Sequence, residues 1–505
     1  MTLWPIFANR SPFALVILGL VAFVLNATLT ALFPVTPAVH DEFSYLLAAD
    51  TFRAGSLTLP SPAGAEHLVT PHVNVSPTRH TAYMPGHGMA LAFGWQVFGA
   101  PIRGAWLLGA LLSVAVAWAL LGILPLRWAL AGGALAAFHP GIAVYWNQTY
   151  FGGSLSACGG ALILGALLRV VERPRLSAGM WLSVGMLSIV MSRPYVGFLS
   201  SIGVLFFLGR VWIRGTDESR QLLLNRVILP VVCVGILGGG CLLYYNRVLT
   251  GDPLQLPYAL NAKAVGAYPN FIFQSSPPPV DRPDSIEAYQ RLRAEDYYTK
   301  RSLGGFLTLS LTWIARLGRF YLVTGLLLVP LLGLLKAWRM RIVRRCVWLL
   351  MALGIAILPI KTVNPQYAAP AVVLVCLLVV VSARELLSMK RWRWALIPAT
   401  PLLVASPFLV SIERQSRLVG EWFHRRAAIE ESLSSSEGQH IVFVVYDETH
   451  DPLAEWVHND ADLARAKVVW ARSLGAVKDR AFVADYPGRT EWYLRADVPS
   501  AELQR

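Results

Sequence analysis

Apolar runs of about 20 residues, the length a helix needs to cross a bilayer core, recur along most of the chain and then stop. Eleven segments have this character: 12–33, 104–125, 128–146, 154–171, 177–193, 195–212, 227–246, 318–335, 343–360, 366–383 and 394–411. Tyr83–Gly99 is also apolar, but it is short and bounded by Pro85 and Pro101, so it reads as a helix in the membrane interface. Beyond residue 411 the pattern becomes that of a soluble domain. Helical spacing covers Glu413–Ser436, Pro452–Ala466 and Val477–Tyr486, and strand-like runs cover His440–Tyr446, Lys467–Trp470 and Glu491–Leu494. That alternation predicts a small α/β unit. The expectation is an all-α polytopic membrane bundle of about eleven helices over 1–411, with outer loops 33–101 and 247–304, followed by an extracytoplasmic α/β domain over 412–505.

Charge sets the orientation. Only 15% of residues are charged and 55% are hydrophobic, with a mean hydropathy of +0.51. These values exclude a disordered chain, a coiled coil and an ordinary soluble enzyme. The net charge is +14. With an inside N-terminus and eleven spans, the inner flanks gather 18 basic residues, Arg10, Lys390 and Arg391 among them, against Glu172, Asp217, Glu218 and Glu385. The whole excess therefore lies on one side, as the positive-inside rule expects. Counting 83–99 as a full span would move the Arg-rich loops outside. The basic balance is a topology signal, and nucleic acid is not a partner. The five cysteines all lie in apolar stretches and give no disulfide framework or zinc motif. The first apolar stretch lacks a small-residue cleavage site and reads as a retained anchor.

Candidate chemistry clusters in the outer loops. His40-Asp41-Glu42-Phe43-Ser44-Tyr45 follows the first span, and Phe43–Phe52 continues as an amphipathic helix whose apolar face suits the membrane surface. A carboxylate at the interface is partly desolvated, which tunes it as a general base for a hydroxyl acceptor. The alternative is a pair of solvated acids at a helix start. The same loop closes with His80 and the run Tyr83-Met84-Pro85-Gly86-His87-Gly88, and with His67 and His72 it holds half of the histidines. No tight metal-binding spacing appears. A Mg or Mn ion on Asp41 and Glu42 stays open, and no cofactor is certain.

Trp146-Asn147-Gln148-Thr149-Tyr150-Phe151-Gly152-Gly153 joins two spans outside, and reads either as an interfacial belt or as a pocket wall suited to a sugar ring. Arg193 in Ser192-Arg193-Pro194-Tyr195 stands at the outer end of two spans, where a phosphate or a carboxylate would satisfy it. Arg316 and Arg319 permit the same two readings. Lys361, in Lys361-Thr362-Val363-Asn364-Pro365-Gln366-Tyr367, is a further phosphate candidate. The second outer loop opens on a turn at Gly251-Asp252-Pro253, passes Tyr258, and ends in the charged helix-like stretch Ser285–Arg301.

At these residues the chain resembles the GT-C superfamily of membrane glycosyltransferases. The likeness is to the bacterial branch allied to Rhizobium lipopolysaccharide sugar transferases, protein O-mannosyltransferases and the lipid A aminoarabinose transferase. Its carriers are Asp41-Glu42, the Tyr83–Gly88 run, Trp146–Gly153, Ser192–Tyr195 and Asn364-Pro365-Gln366-Tyr367-Ala368-Ala369-Pro370, over roughly residues 1–410. The resemblance implies an inverting transfer from a polyprenyl-phosphate sugar to a lipid, glycan or protein acceptor at the outer face of the inner membrane. The family's first-loop acid maps onto Asp41 or Glu42. Where some members have a second acid, the nearest equivalent is Asp252, whose neighbours do not match. A lipid or solute transporter or flippase is the main rival, but no acid falls at mid-membrane and no internal repeat stands out. A non-catalytic protein that binds lipid-linked sugar is the other.

Overall fold

The computed structural model describes residues 11–278, 280, 283–389, 393–418, 421–498 and 503–504. Arg10, Lys390 and Arg391, counted above among the inner cations, lie outside the described residues. The chain divides into two compact units. The first gathers Met1–Pro34, Ile102–Cys241 and Phe306–Glu413, and the second gathers Val35–Pro101, Leu242–Gly305 and Arg414–Arg505.

Seven helices among the described residues are long and apolar enough to cross a membrane: Pro12–Leu32, Ile102–Leu120, Ser154–Glu172, Pro194–Arg214, Asp217–Thr250, Pro365–Leu387 and Leu396–Arg417. The chain is thus a multi-pass membrane protein. Each of the seven overlaps one expected span. The expected spans 128–146 and 177–193 fall on shorter apolar helices, Leu126–Phe138 and Leu176–Val190. Span 343–360 falls on Arg341–Ile357, a helix of 17 residues. Span 318–335 is not one helix. A helix runs Leu303–Tyr321, and short turns follow at Val323–Gly325, Leu328–Leu331 and Leu334–Ala337. Val323 at φ +51° and Gly325 at φ +99° take the backbone out of the helical region there.

Inside a bilayer there is no water to drive apolar faces together, so small residues that let backbones touch carry helix association. Gly159 and Gly185 illustrate this. A Cβ on Gly159 would lie 2.6 Å from the Gly185 carbonyl oxygen, and one on Gly185 would lie 2.8 Å from the Gly159 carbonyl oxygen. The Ser154–Glu172 and Leu176–Val190 helices therefore meet backbone to backbone.

The second unit opens with the His40–Arg53 helix, a small antiparallel sheet, and the Pro85–Phe98 helix. The sheet order is β1-β3-β2, from β1 (Leu59–Pro60), β2 (Val73–Asn74) and β3 (Thr78–Thr81), with Leu59 opposite Arg79 and Val73 opposite Thr81. The apolar face of His40–Arg53, expected on the membrane surface, is covered by protein instead. Leu47 packs with Val73 and Ala461. Gly88 admits Ala48, whose Cβ would stand 2.8 Å from a Cβ at position 88. The Pro85–Phe98 helix is too short to span. Pro85 starts it, and Gly99 ends it at φ +84°.

The C-terminal part of the same unit has β4 (Gln439–Val445), β5 (Val468–Arg472) and β6 (Arg489–Arg495) in the order β5-β4-β6, all parallel. Helices Trp422–Ser435 and Ala476–Asp485 accompany the sheet. The helix expected over Pro452–Ala466 is absent. Side chains rather than a helical ladder satisfy that backbone. Arg426 donates to the carbonyls of Trp456 and His458. Asn459 pairs both ways with the Trp470 backbone, at 2.8 Å each. Arg79 donates to the carbonyls of Asn459, Asp460 and Ala461.

Candidate functional site

The His40–Arg53 helix places its acids in the first turn, where the helix dipole favours negative charge. The two neighbours then diverge, as adjacent residues on a helix must. Glu42 turns back on its own helix start. Its Oε2 accepts from the backbone N–H groups of Ala38 at 2.8 Å and Val39 at 3.3 Å, and the residue is only 1% exposed. Asp41 is half-buried, and its Oδ1 accepts a 2.5 Å hydrogen bond from the Tyr83 hydroxyl. Burial, then the nearby Asp41 and Tyr45, raise the Tyr83 hydroxyl well above its ordinary value. Tyr83 therefore keeps its proton and stays a donor. Its ring stacks on Tyr45 at 4.5 Å, and Tyr45 meets His87 edge-on at 4.9 Å. The outcome is one carboxylate held by a fixed phenol and one used as a cap.

Imidazoles line the same end of the helix. His40 sits 5.1 Å from Tyr289 and 6.2 Å from His458 between ring centroids, and its Nε2 faces the Pro452 carbonyl at 3.2 Å. Burial lowers both His40 and His458, so both are neutral near pH 7. His72 adopts φ +64°, which is uncommon for a residue with a side chain. Its carbonyl accepts from the Ser44 hydroxyl at 2.7 Å and the Ala82 N–H at 2.8 Å, and its Nε2 meets the Tyr289 hydroxyl at 3.2 Å. His80 is engaged on both nitrogens. Asn74 Nδ2 donates to Nε2 at 3.0 Å, which leaves the proton on Nδ1 for the Thr78 carbonyl at 2.9 Å. Burial pushes His80 down to about 4.

The remaining expected residues of this unit have local roles. Asp252 Oδ1 accepts from the Leu254 N–H at 2.8 Å and closes the turn at Gly251. Tyr258 lies in the first turn of Pro257–Ala264.

The other expected residues belong to the first unit. Trp146, Asn147, Gln148 and Tyr150 are buried. Asn147 Oδ1 accepts from Ser154 at 2.7 Å, and Gln148 links Thr30 and the Asn26 carbonyl. The Arg193 guanidinium stands 5.2 Å over the Tyr367 ring. Tyr195 donates to the Ala356 carbonyl at 2.7 Å. Asn364 stands just before the 3₁₀ turn Pro365–Ala371, which carries Gln366 and Tyr367, and Lys361 a few residues earlier is buried. Arg316 stacks on Trp313 at 4.4 Å, and it and Arg319 are exposed. The structure thus brings Arg193 and Tyr367 together, close in sequence to Lys361, Asn364 and Gln366. Arg316 and Arg319 stay at the surface.

Among the described residues, no group of three or more His, Cys, Asp or Glu is placed to hold a metal ion. Asp41 Oδ1 accepts from the Tyr83 hydroxyl, whereas Glu42 Oε2 accepts from the start of its own helix.

Three side chains around His40 and Tyr83 were not among the expected site residues: Tyr289, His458 and Tyr245, whose hydroxyl reaches the Tyr83 carbonyl at 3.4 Å. For Tyr289 a signal existed. Ile286, Tyr289, Gln290, Tyr297 and Lys300 form the buried stripe of Asp284–Arg301. His458 had none, because it sits in the irregular segment.

The fold, with a first unit of apolar helices and a second unit drawn from three separated segments, is similar to that of solved membrane proteins. The chain superposes on the oligosaccharyltransferase of Archaeoglobus fulgidus in its apo form with a TM-score of 0.52 at 12% identity, covering 91% of this chain and 65% of that one. The archaeal oligosaccharyltransferase AglB of the same organism, in complex with an inhibitory peptide and a dolichol-phosphate, gives 0.50 at 12% identity, covering 88% and 64%. ArnT from Cupriavidus metallidurans in the apo state gives 0.50 at 14% identity, covering 87% and 83%. The chain spans less than two thirds of the oligosaccharyltransferase chains. At these identities the likeness is one of fold. No protein-family model matches the sequence, and no curated protein does.

Proposed function

We propose that this chain is an integral-membrane glycosyltransferase, moving a sugar from a polyprenyl-phosphate donor to a lipid, glycan or protein acceptor. The transfer takes place at the outer face of the bacterial cytoplasmic membrane, with inversion. The observation that carries the reading is Asp41, held by the Tyr83 hydroxyl at the start of the His40–Arg53 helix. Its carboxylate takes the proton of the acceptor hydroxyl while that oxygen attacks the anomeric carbon. The bond from that carbon to the phosphate oxygen breaks on the opposite side, and its electron pair leaves with the lipid phosphate. Within the first unit, Arg193 over the Tyr367 ring suits a lipid phosphate, since a guanidinium fork matches phosphate oxygens. The fold neighbour that holds a dolichol-phosphate supports a lipid-phosphate donor.

The N-terminus lies inside, eleven segments cross, the broken stretch 318–335 among them, and the C-terminal domain from 412 lies outside. Support comes from the second unit, which collects the three segments that the charge pattern assigns to the outer side. The Pro85–Phe98 helix lies in the interface, and its exposed Met89, Phe93 and Val97 form an apolar stripe suited to that position.

The test is incubation of the purified protein with a panel of radiolabelled polyprenyl-phosphate sugars. Transfer or slow donor hydrolysis by the wild type is expected. Binding of donor with no turnover across the panel would make the chain a lipid-linked-sugar binding protein instead.

A further inference from the structure

The second unit contains a cavity of about 200 Å³ that neither Asp41 nor Tyr83 lines. One wall is the His40–Arg53 helix, with Phe43, Leu47 and Asp50. Trp95 of the Pro85–Phe98 helix adds an aromatic plate, with Arg53 stacked over its ring at 4.3 Å. The opposite wall is the C-terminal domain, with Glu430 and the irregular segment through His458 and Asp460.

Two cations line this space, Arg79 and Arg426, and both are nine-tenths buried or more. Their donors are directed into the protein. Arg79 serves three backbone carbonyls, and Arg426 serves two carbonyls and Glu430 Oε2 at 2.6 Å. Three carboxylates, Asp50, Glu430 and Asp460, outnumber them. Asp50 holds Arg53 and the Ala461 N–H. Asp460 is exposed and Glu430 half-buried, so both carboxylates stay open to an incoming donor. Partial burial and the nearby Glu430 and Asp50 push the Asp460 carboxyl up, so a donor arriving there relieves repulsion. The buried His458 also lines the cavity, and its Nε2 has no hydrogen-bond partner.

These facts select a ligand class. An anion meets a surplus of carboxylates. An acyl chain meets charged walls that it leaves unsatisfied. The volume lies below the roughly 300–1,000 Å³ of sites for drug-sized molecules, so it holds one ring rather than a peptide. A ring that carries hydroxyl donors and an apolar C–H face satisfies the carboxylates and covers the Trp95 plate.

We propose that this cavity is a saccharide subsite that binds one pyranose ring of the acceptor. The word acceptor rests on the transferase reading; the binding of a pyranose does not.

The experiment uses the full chain in lipid nanodiscs with methyl glycosides of common hexoses, observed by saturation transfer from protein to ligand protons. Binding of at least one glycoside with a Kd of the order of 1–10 mM is expected. The Glu430→Gln/Asp460→Asn double variant should weaken it about 10-fold, since hydrogen bonds to charged groups are the strong ones. Trp95→Ala should weaken it similarly, with retained melting temperatures showing that both variants are folded. No glycoside binding at about 50 mM overturns the subsite, as does binding that both variants leave intact. Asp41→Asn separates the two proposals: it should bind glycoside like wild type while losing transfer. A wild type that binds glycoside yet turns over no donor sinks the transferase reading and leaves the pocket standing.

Discussion

The two units bury polar groups by opposite means. In the first, several buried hydroxyls and amides bond within their own helix: Ser113 to the Gly109 carbonyl, Ser183 to Gly179, Asn26 to Ala22. Such bonds need no partner from elsewhere, which suits helices formed in lipid. In the second unit many of the buried polar groups are titratable, and several of these bond across the chain. His67 Nδ1 meets the Arg472 carbonyl at 2.8 Å, Arg472 donates to the Val69 carbonyl and pairs with Glu455 at 2.5 Å, and Arg79 reaches residues 459–461. A fold held this way positions ionisable groups rigidly, because losing one partner leaves another buried and unsatisfied. Chemistry and pH sensitivity should therefore concentrate in the second unit, and lipid packing and phosphate contact in the first.

Asp41→Asn is the strongest test of that division. Removing a general base typically costs about 10²–10⁴-fold in rate. Transfer should fall by that factor while donor binding, assigned to the first unit, holds. Tyr83→Phe should cost less, about 10-fold, since it frees the carboxylate without deleting it. Wild-type turnover in both Asp41→Asn and Glu42→Gln would move the catalytic site out of this loop.

Acid should loosen the second unit before the first. His80 has an ordinary value of 6.5 and is held at about 4. Between these two values the unfolded chain takes a proton that the folded chain refuses, so stability rises with pH across that window. The stability is fully present above about pH 6.5 and is lost as pH falls toward 4, by about 3 kcal/mol for a shift of this size. His40 and His458, lowered in the same sense, add to it. Hydrogen exchange at about pH 7 and about pH 5 should show β2 and β3 losing protection first. Equal loss in both units would refute the contrast.

The same contrast explains what was legible in the sequence. Local satisfaction leaves a local pattern, so seven of the eleven expected spans fall on long apolar helices. The stretch 318–335 misled because its composition is apolar throughout, and hydropathy does not register a backbone at φ +99° on Gly325. The first-loop acids were visible, but their division of labour was not. Whether Glu42 caps or catalyses depends on the Ala38 and Val39 N–H groups, which composition cannot weigh. The segment 452–466 has helical spacing, yet arginines hundreds of residues away or on another helix take its carbonyls. Tertiary bonds of this kind override propensity and leave no periodic trace.

In the first unit the expected effect is smaller and falls on binding. Arg193→Lys keeps the charge but loses both the planar fork and the stack on Tyr367. Donor affinity should drop about 10-fold. The residual rate at saturating donor should stay near wild type, as for a group that binds ground and transition states alike. Unchanged affinity in Arg193→Ala would reduce this residue to a structural contact.

The smallest effect should come from Glu42→Gln, and it separates the two acids most sharply. An amide oxygen can still accept from the Ala38 and Val39 N–H groups, so the helix start survives with a weaker, uncharged cap. The loss is that of a charge near a helix N-terminus, typically about 0.3–1 kcal/mol. Melting temperature should fall by a few degrees at most, and turnover should stay within about 3-fold of wild type, with no change in its pH profile. Glu42→Ala should cost more stability, because two backbone donors then lose their acceptor inside a buried site. If Glu42→Gln instead abolishes turnover while melting as wild type, the cap is the catalytic group and Asp41 is its support.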